Sequence, residues 1–136
     1  MNDIPRGIRN QNPGNIRHGE TIWQGQSQYQ DDPAYVTFTD PIYGIRAIAR
    51  ILMTYSKDGL NTVSQIIGRW APSSENDTDA YVESVAKALG VGANTPLSLT
   101  SVLPDLVKAI ITHENGEQPY TETQIETGIQ LAEEDA

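Results

Sequence analysis

The apolar pattern of the chain changes period at Asp40, and that change limits the fold more than any other feature. Beyond Asp40, apolar residues recur every three to four positions, the spacing of one helical face. Ile45, Ile48, Ala49, Leu52 and Tyr55 form a first stripe, opened by the N-cap and first-turn pair Asp40-Pro41 and ended near Asp58-Gly59. Val63, Ile66, Ile67 and Trp70 form a second, with Thr62 and Gln65 as a capping box and Pro72 as its stop. A third carries Tyr81, Val82, Val85, Ala86 and Leu89 between an Asn76 or Asp77 cap and Gly90. Ser101 opens a fourth, with Leu103, Leu106, Val107, Ile110 and Ile111 on one side and Asn115-Gly116 as its stop. Thr121 and Gln124 open a fifth, and Tyr120 is spaced to staple against Ile125.

Ahead of Asp40 the chain is rich in Asn, Gln, Gly and Pro and reads as loops around short strands. The clearest strand is residues 34–39, where Tyr35 alternates with Val36 and Phe38; residues 15–17 and 22–25 are further candidates. The expectation is an α+β fold, mostly α. It has five helices, the fourth of them central, and a small N-terminal β-hairpin or three-stranded sheet. One domain spans residues 1–136, with residues 1–10 and 133–136 frayed.

Composition removes many functions. The 136 residues suit one domain with a modest core. There is no cysteine, so disulfides, thiolate metal sites and thiol nucleophiles are excluded. His18 and His113 are the only histidines, too few for a His-rich catalytic zinc site. Asp77, Asp79 and Glu83 lack the glycine and the ligand number of an EF-hand. No GxSxG, P-loop or GxGxxG motif is present, so neither serine-hydrolase nor nucleotide chemistry is expected, and no metal or cofactor. A net charge of −9 opposes a nucleic-acid partner. No apolar run reaches bilayer length, and residues 1–12 lack a signal-peptide core, so neither membrane insertion nor a secretory signal is expected. From Thr112 onward come seven acids (Glu114, Glu117, Glu122, Glu126, Glu133, Glu134, Asp135) and no Lys or Arg. Most of these read as a solvated helix face and tail.

Glu114 stands out among the acids. It follows Ile110 by four positions and Ile111 by three, so it continues the buried stripe of the fourth helix. It also lies in the last turn, at the negative end of the helix dipole. Burial and dipole both favour the protonated carboxyl, the state a glycosidase needs in its general acid. The expectation is therefore an acid largely buried at the bottom of a groove. The competing reading has the helix fraying at Thr112 and Glu114 pointing to water. Glu75, beside Trp70 in the loop at 71–78, reads either as a second functional carboxylate or as an acid at a helix N-terminus. Glu20, in the hairpin region, is a third catalytic candidate resting on its loop position alone. Trp23, Tyr29, Tyr35, Trp70, Tyr81 and Tyr120 supply faces on which sugar rings stack, though Trp70 also has core spacing. Asn15, Trp23, Tyr81 and Tyr120 are the candidate substrate contacts.

Several of these residues fall in blocks that carry a resemblance. Arg9-Asn-Gln-Asn-Pro-Gly-Asn-Ile-Arg17, Trp23-Gln-Gly25, Tyr35-Val-Thr-Phe38 and Gly44-Ile-Arg-Ala47 come first in order. Arg69-Trp-Ala-Pro72, Glu75-Asn-Asp-Thr78, His113-Glu-Asn-Gly116 and Pro119-Tyr120 follow. Together they resemble small phage and prophage proteins described as virion structural proteins or endolysins. The order Gly-Asn-Ile-Arg, Trp-x-Gly, aromatic strand, Gly-Ile-Arg-Ala is also similar to the middle of flagellar-type glucosaminidases. Those enzymes share with lytic transglycosylases a catalytic Glu that ends a helix ahead of that block. Here the similar segment, Ala109 to Gly116, comes after it, with Asn115 where those enzymes have Ser. The resemblance implies a circularly permuted lysozyme-like fold, which surface termini make physically tolerable. It further implies a muramidase or lytic transglycosylase acting on peptidoglycan glycan strands, with Glu114 as the acid. The implied location is a phage virion, or a host cytoplasm with release to the wall. The alternative is a non-catalytic virion structural or assembly protein whose partners are other virion proteins. A peptidoglycan peptidase is disfavoured by the missing thiol and the poor supply of metal ligands.

Overall fold

The computed structural model describes residues 4–134. Six helices follow in order: α1 (Arg6–Arg9), α2 (Pro41–Lys57), α3 (Val63–Trp70), α4 (Thr78–Leu89), α5 (Leu99–Asn115) and α6 (Glu122–Glu134). The caps read from the sequence form real hydrogen bonds. Asp40 accepts from the Ile42 N–H, Thr62 from Gln65 and Asp77 from Ala80. Thr121 and Gln124 close a reciprocal box, each side chain accepting from the other's backbone N–H. Gly90 and Gly116 end α4 and α5 in the left-handed conformation, φ 70° and 76°, where a glycine costs least. Two boundaries differ from the sequence reading. The helix expected from Ser101 begins at Leu99, and residues expected to fray form α1 and the end of α6. Residues 1–3 and 135–136, also expected to fray, lie outside the described residues.

The two long helices organise the packing. α5 touches α1, α2, α4 and α6, so it is the central element. α2 lies along α6, with Gly128 as the contact point. A methyl there would stand 2.5 Å from Ile45 Cγ2. The core gathers Ile45, Ile48 and Leu52 of α2, Val63 and Ile67 of α3, Val85 of α4, Leu106, Ile110 and Ile111 of α5, and Ile125 of α6. No helix is long and apolar enough to cross a membrane among the described residues.

The expected hairpin or sheet is not there. Among the described residues the N-terminal region holds two isolated antiparallel bridges, Arg17 with Tyr35 and Gln26 with Phe38. Scattered backbone bonds, such as His18 N–H to the Ala34 carbonyl and Val36 N–H to the Ile16 carbonyl, are completed by side chains. Gln30 donates to the carbonyls of Ser27 and Thr37 and accepts from the Thr37 N–H, as a strand partner would. Asp32, its side chain 7% exposed, accepts from Arg6 twice at 2.6 Å, from Asn10, and from the Ala34 and Tyr35 N–H groups. The backbone N–H groups of Ala34, Tyr35 and Thr37 are thus paired without strand geometry.

This arrangement gives a pH dependence with a definite sign. The Arg6 guanidinium, with help from Asn10 and two backbone N–H groups, holds the Asp32 carboxyl far below its ordinary value. A group depressed on folding contributes stability fully above its unfolded value, about pH 4, and loses that contribution as pH falls below it. Asp32→Asn is therefore expected to lower the melting temperature at neutral pH and to flatten its decline below about pH 4. Parallel acid melting curves for wild type and variant would contradict this account of the loop.

Candidate functional site

The site is assembled by the turn that follows α1. Asn12 is fully buried, and its side chain closes the turn with three hydrogen bonds. Nδ2 donates to the carbonyls of Ile16 at 2.9 Å and Val36 at 2.8 Å, while Oδ1 accepts from the Ile16 N–H at 3.0 Å. Within that turn Asn15 takes a left-handed backbone, φ 50°, which Asn tolerates better than most residues. Its side chain crosses to the end of α5, where Nδ2 donates to Glu114 Oε1 at 2.9 Å. Asn115 locks the same junction from the other side, donating to the carbonyls of Pro13 at 2.8 Å and Ile111 at 2.9 Å. Only glycine fits at position 7. A methyl there would meet Asn115 Oδ1 at 2.6 Å and Asn15 Oδ1 at 2.8 Å.

Tyr81 of α4 supplies the second hold on Glu114. Its hydroxyl donates to Oε2 at 2.9 Å. Tyr81 is 2% exposed. Burial, then the Glu114 charge and the hydrogen bond to it, push the phenol well above its ordinary value, so it keeps its proton and donates. His113 stacks on the Tyr81 ring, centroids 3.7 Å apart and planes 24° apart. Each carboxylate oxygen of Glu114 is thus fixed by a donor from a different segment of the chain.

Glu114 opens onto a groove of about 300 Å³. Asn15, Arg17 and Tyr35 come to it from the N-terminal loops, Tyr55 from α2, Trp70 from α3 and Glu75 from the α3–α4 loop. Across it, Arg17 Nη2 lies 3.5 Å from Glu75 Oε1, with both side chains about half exposed, 56% and 51%. The site offers one carboxylate held by neutral donors, one loose ion pair, and aromatic surfaces. Among the described residues, no group of His, Asp or Glu side chains is arranged to hold a metal ion.

Several sequence-based expectations are redistributed by this geometry. Glu114 is half-buried in the groove lining rather than sealed beneath it. Asn15 and Glu75 join it there. Glu20 is exposed on a loop and is not among the groove-lining residues. Trp23 and Tyr120 are packed partly buried against the core, away from the lining, and Tyr81 lies behind Glu114 rather than on the groove surface. Burial, then the nearby Glu117 charge, push the Tyr120 phenol up to about 12. Among the lining residues that the sequence did not single out for the site are Arg17 and Tyr55. Tyr55 was absorbed into the α2 stripe, and Arg17 has no local signal beyond its place after Gly-Asn-Ile. Asn12, which positions Asn15, was visible only as one Asn in an Asn-rich segment.

No protein-family model matches the chain. It is similar to protein P5 of Pseudoalteromonas phage PM2, 42% identical over 134 residues, an alignment that covers 96% of this chain and 83% of that protein.

Proposed function

The chain belongs to the family of protein P5 of Pseudoalteromonas phage PM2, and from that premise we propose that it cleaves the glycan strand of peptidoglycan. One observation carries the reading: a groove carboxylate, Glu114, with each oxygen held at 2.9 Å, one by Asn15 and the other by Tyr81. Glu114 donates its proton to the glycosidic oxygen, and the leaving sugar departs with the bond electrons. The substrate's own N-acetyl oxygen closes on the anomeric carbon, so a second enzyme carboxylate is not required. The Glu114 carboxylate then takes a proton either from water, giving a reducing end, or from the muramic C6 hydroxyl, giving an anhydro product. Tyr35, Tyr55 and Trp70 offer apolar faces for sugar rings. In this reading the fold is lysozyme-like and circularly permuted, a relation supported by the Asn15 contact that ties the end of α5 to the N-terminal loops. The enzyme works from a virion, or on the wall after release from the host cytoplasm.

Clearing of a suspension of purified peptidoglycan tests the proposal. Loss of turbidity is expected, with soluble fragments in the supernatant. One observation favours a second reading: a net charge of −9 suits an anionic wall polymer poorly. A non-catalytic phage virion protein with this shape leaves the suspension turbid.

Within this mechanism Tyr81 positions the acid without touching substrate. Tyr81→Phe removes one of the two donors and leaves the ring in its stack with His113. The expected result is a kcat lowered by about ten- to a hundredfold with KM little changed. An equal fall in thermal stability and activity would make Tyr81 a merely structural residue.

A further inference from the structure

We propose that Arg17 is a specificity-determining residue that binds a carboxylate of the strand, an inference that rests on the glycan-cleaving reading above. Among the described residues that line the groove, Arg17 is the only Lys or Arg, facing a groove that also holds Glu75 and Glu114. A chain of net charge −9 that takes up an anionic polymer needs a local cation where the polymer's charge comes to rest. Arg17 is free to serve. Its partner Glu75 is 3.5 Å away with both side chains about half exposed, so the pair is loose and well screened. Its guanidinium is steadied over the Tyr35 ring, with Cζ 5.1 Å from the ring centroid. The neighbouring Arg6 lies over the same ring but is committed to Asp32 by two bonds of 2.6 Å. When substrate enters, the planar fork of Arg17 turns from Glu75 to a substrate carboxylate, for which its donor geometry is matched. That carboxylate comes either from the stem peptide or, on a strand whose stems have been removed, from the lactyl group of muramic acid.

The test measures binding to three strands with Glu114→Gln, which does not consume them. The strands are a neutral N-acetylglucosamine oligomer, amidase-stripped glycan with free lactyl carboxylates, and peptide-bearing glycan. Adding Arg17→Gln is expected to lower the preference for a carboxylate-bearing strand over the neutral oligomer by about tenfold, and Arg17→Lys to restore part of it. A loss confined to peptide-bearing strands assigns the contact to the stem. A loss confined to the stripped glycan assigns it to the lactyl carboxylate, which is free only there, and a loss on both charged strands shows that Arg17 takes either carboxylate. An unchanged preference, or an equal loss on all three strands, overturns the inference while leaving the cleavage reading standing. Failure of every strand to bind overturns both.

Discussion

Glu114→Gln is expected to lower glycan-strand cleavage by about a thousandfold or more, because it removes the one proton that both chemical steps pass through. The substitution is nearly isosteric. The Gln carbonyl can still accept from Asn15, and its amide can face Tyr81, whose hydroxyl turns to accept. Rearranging one hydrogen bond costs about 1 kcal/mol, a shift of a few degrees in melting temperature. Activity and stability should therefore separate cleanly. Full activity in this variant would mean that another group carries the chemistry, and Glu75, which shares the groove, would be examined next.

Asn12→Ala is expected to have a large structural effect. Three hydrogen bonds disappear from a fully buried site, leaving the Ile16 N–H and the Val36 carbonyl without a partner, while the Ile16 carbonyl keeps the Val36 N–H. Stranding two buried backbone groups at once costs about 3–5 kcal/mol, a large share of the stability of a domain this size. The damage reaches the site, because the turn that Asn12 closes also carries Asn15 to Glu114. Urea melts should show the loss. At low temperature, where the variant still folds, cleavage should remain impaired. A fall in stability below about 1 kcal/mol would mean that water or neighbouring side chains replace the Asn12 bonds.

The contrast between Asn12 and the helices explains what the sequence disclosed and what it hid. Helix existence follows from a periodic signal summed over many residues, and the caps at Asp40, Thr62, Asp77 and Thr121 are local rules, so both were legible. Glu114 was legible for the same reason, as a carboxylate that continues the Ile110–Ile111 stripe. The N-terminal loops obey no such local rule. Many of their backbone groups are satisfied by Asn12, Gln30 and Asp32, residues that sequence reading treats as turn formers, across separations of up to 24 positions. Alternating Tyr35, Val36 and Phe38 looked like a strand because two of the three are buried, but the segment's partners alternate between backbone groups scattered along the N-terminal loops and the side chains of Asn12, Gln30 and Asp32. Tyr81 was expected as a substrate contact, and the structure places it behind Glu114. Periodicity put it on the buried face of α4, and nothing local reveals that its hydroxyl emerges beneath an acid 33 positions away. The Asn15–Glu114 contact spans 99 positions and is a product of tertiary packing.

The central claim is that Glu114 at this groove breaks glycosidic bonds. Mass spectrometry of the soluble fraction after purified peptidoglycan is incubated with wild type and with Glu114→Gln tests it most directly. The account predicts muropeptides cut within the glycan strand, with anhydro or reducing muramyl ends, from the wild type and essentially none from the variant. Fragments released only by peptide or amide cleavage, or the same glycan fragments from both proteins, would contradict it.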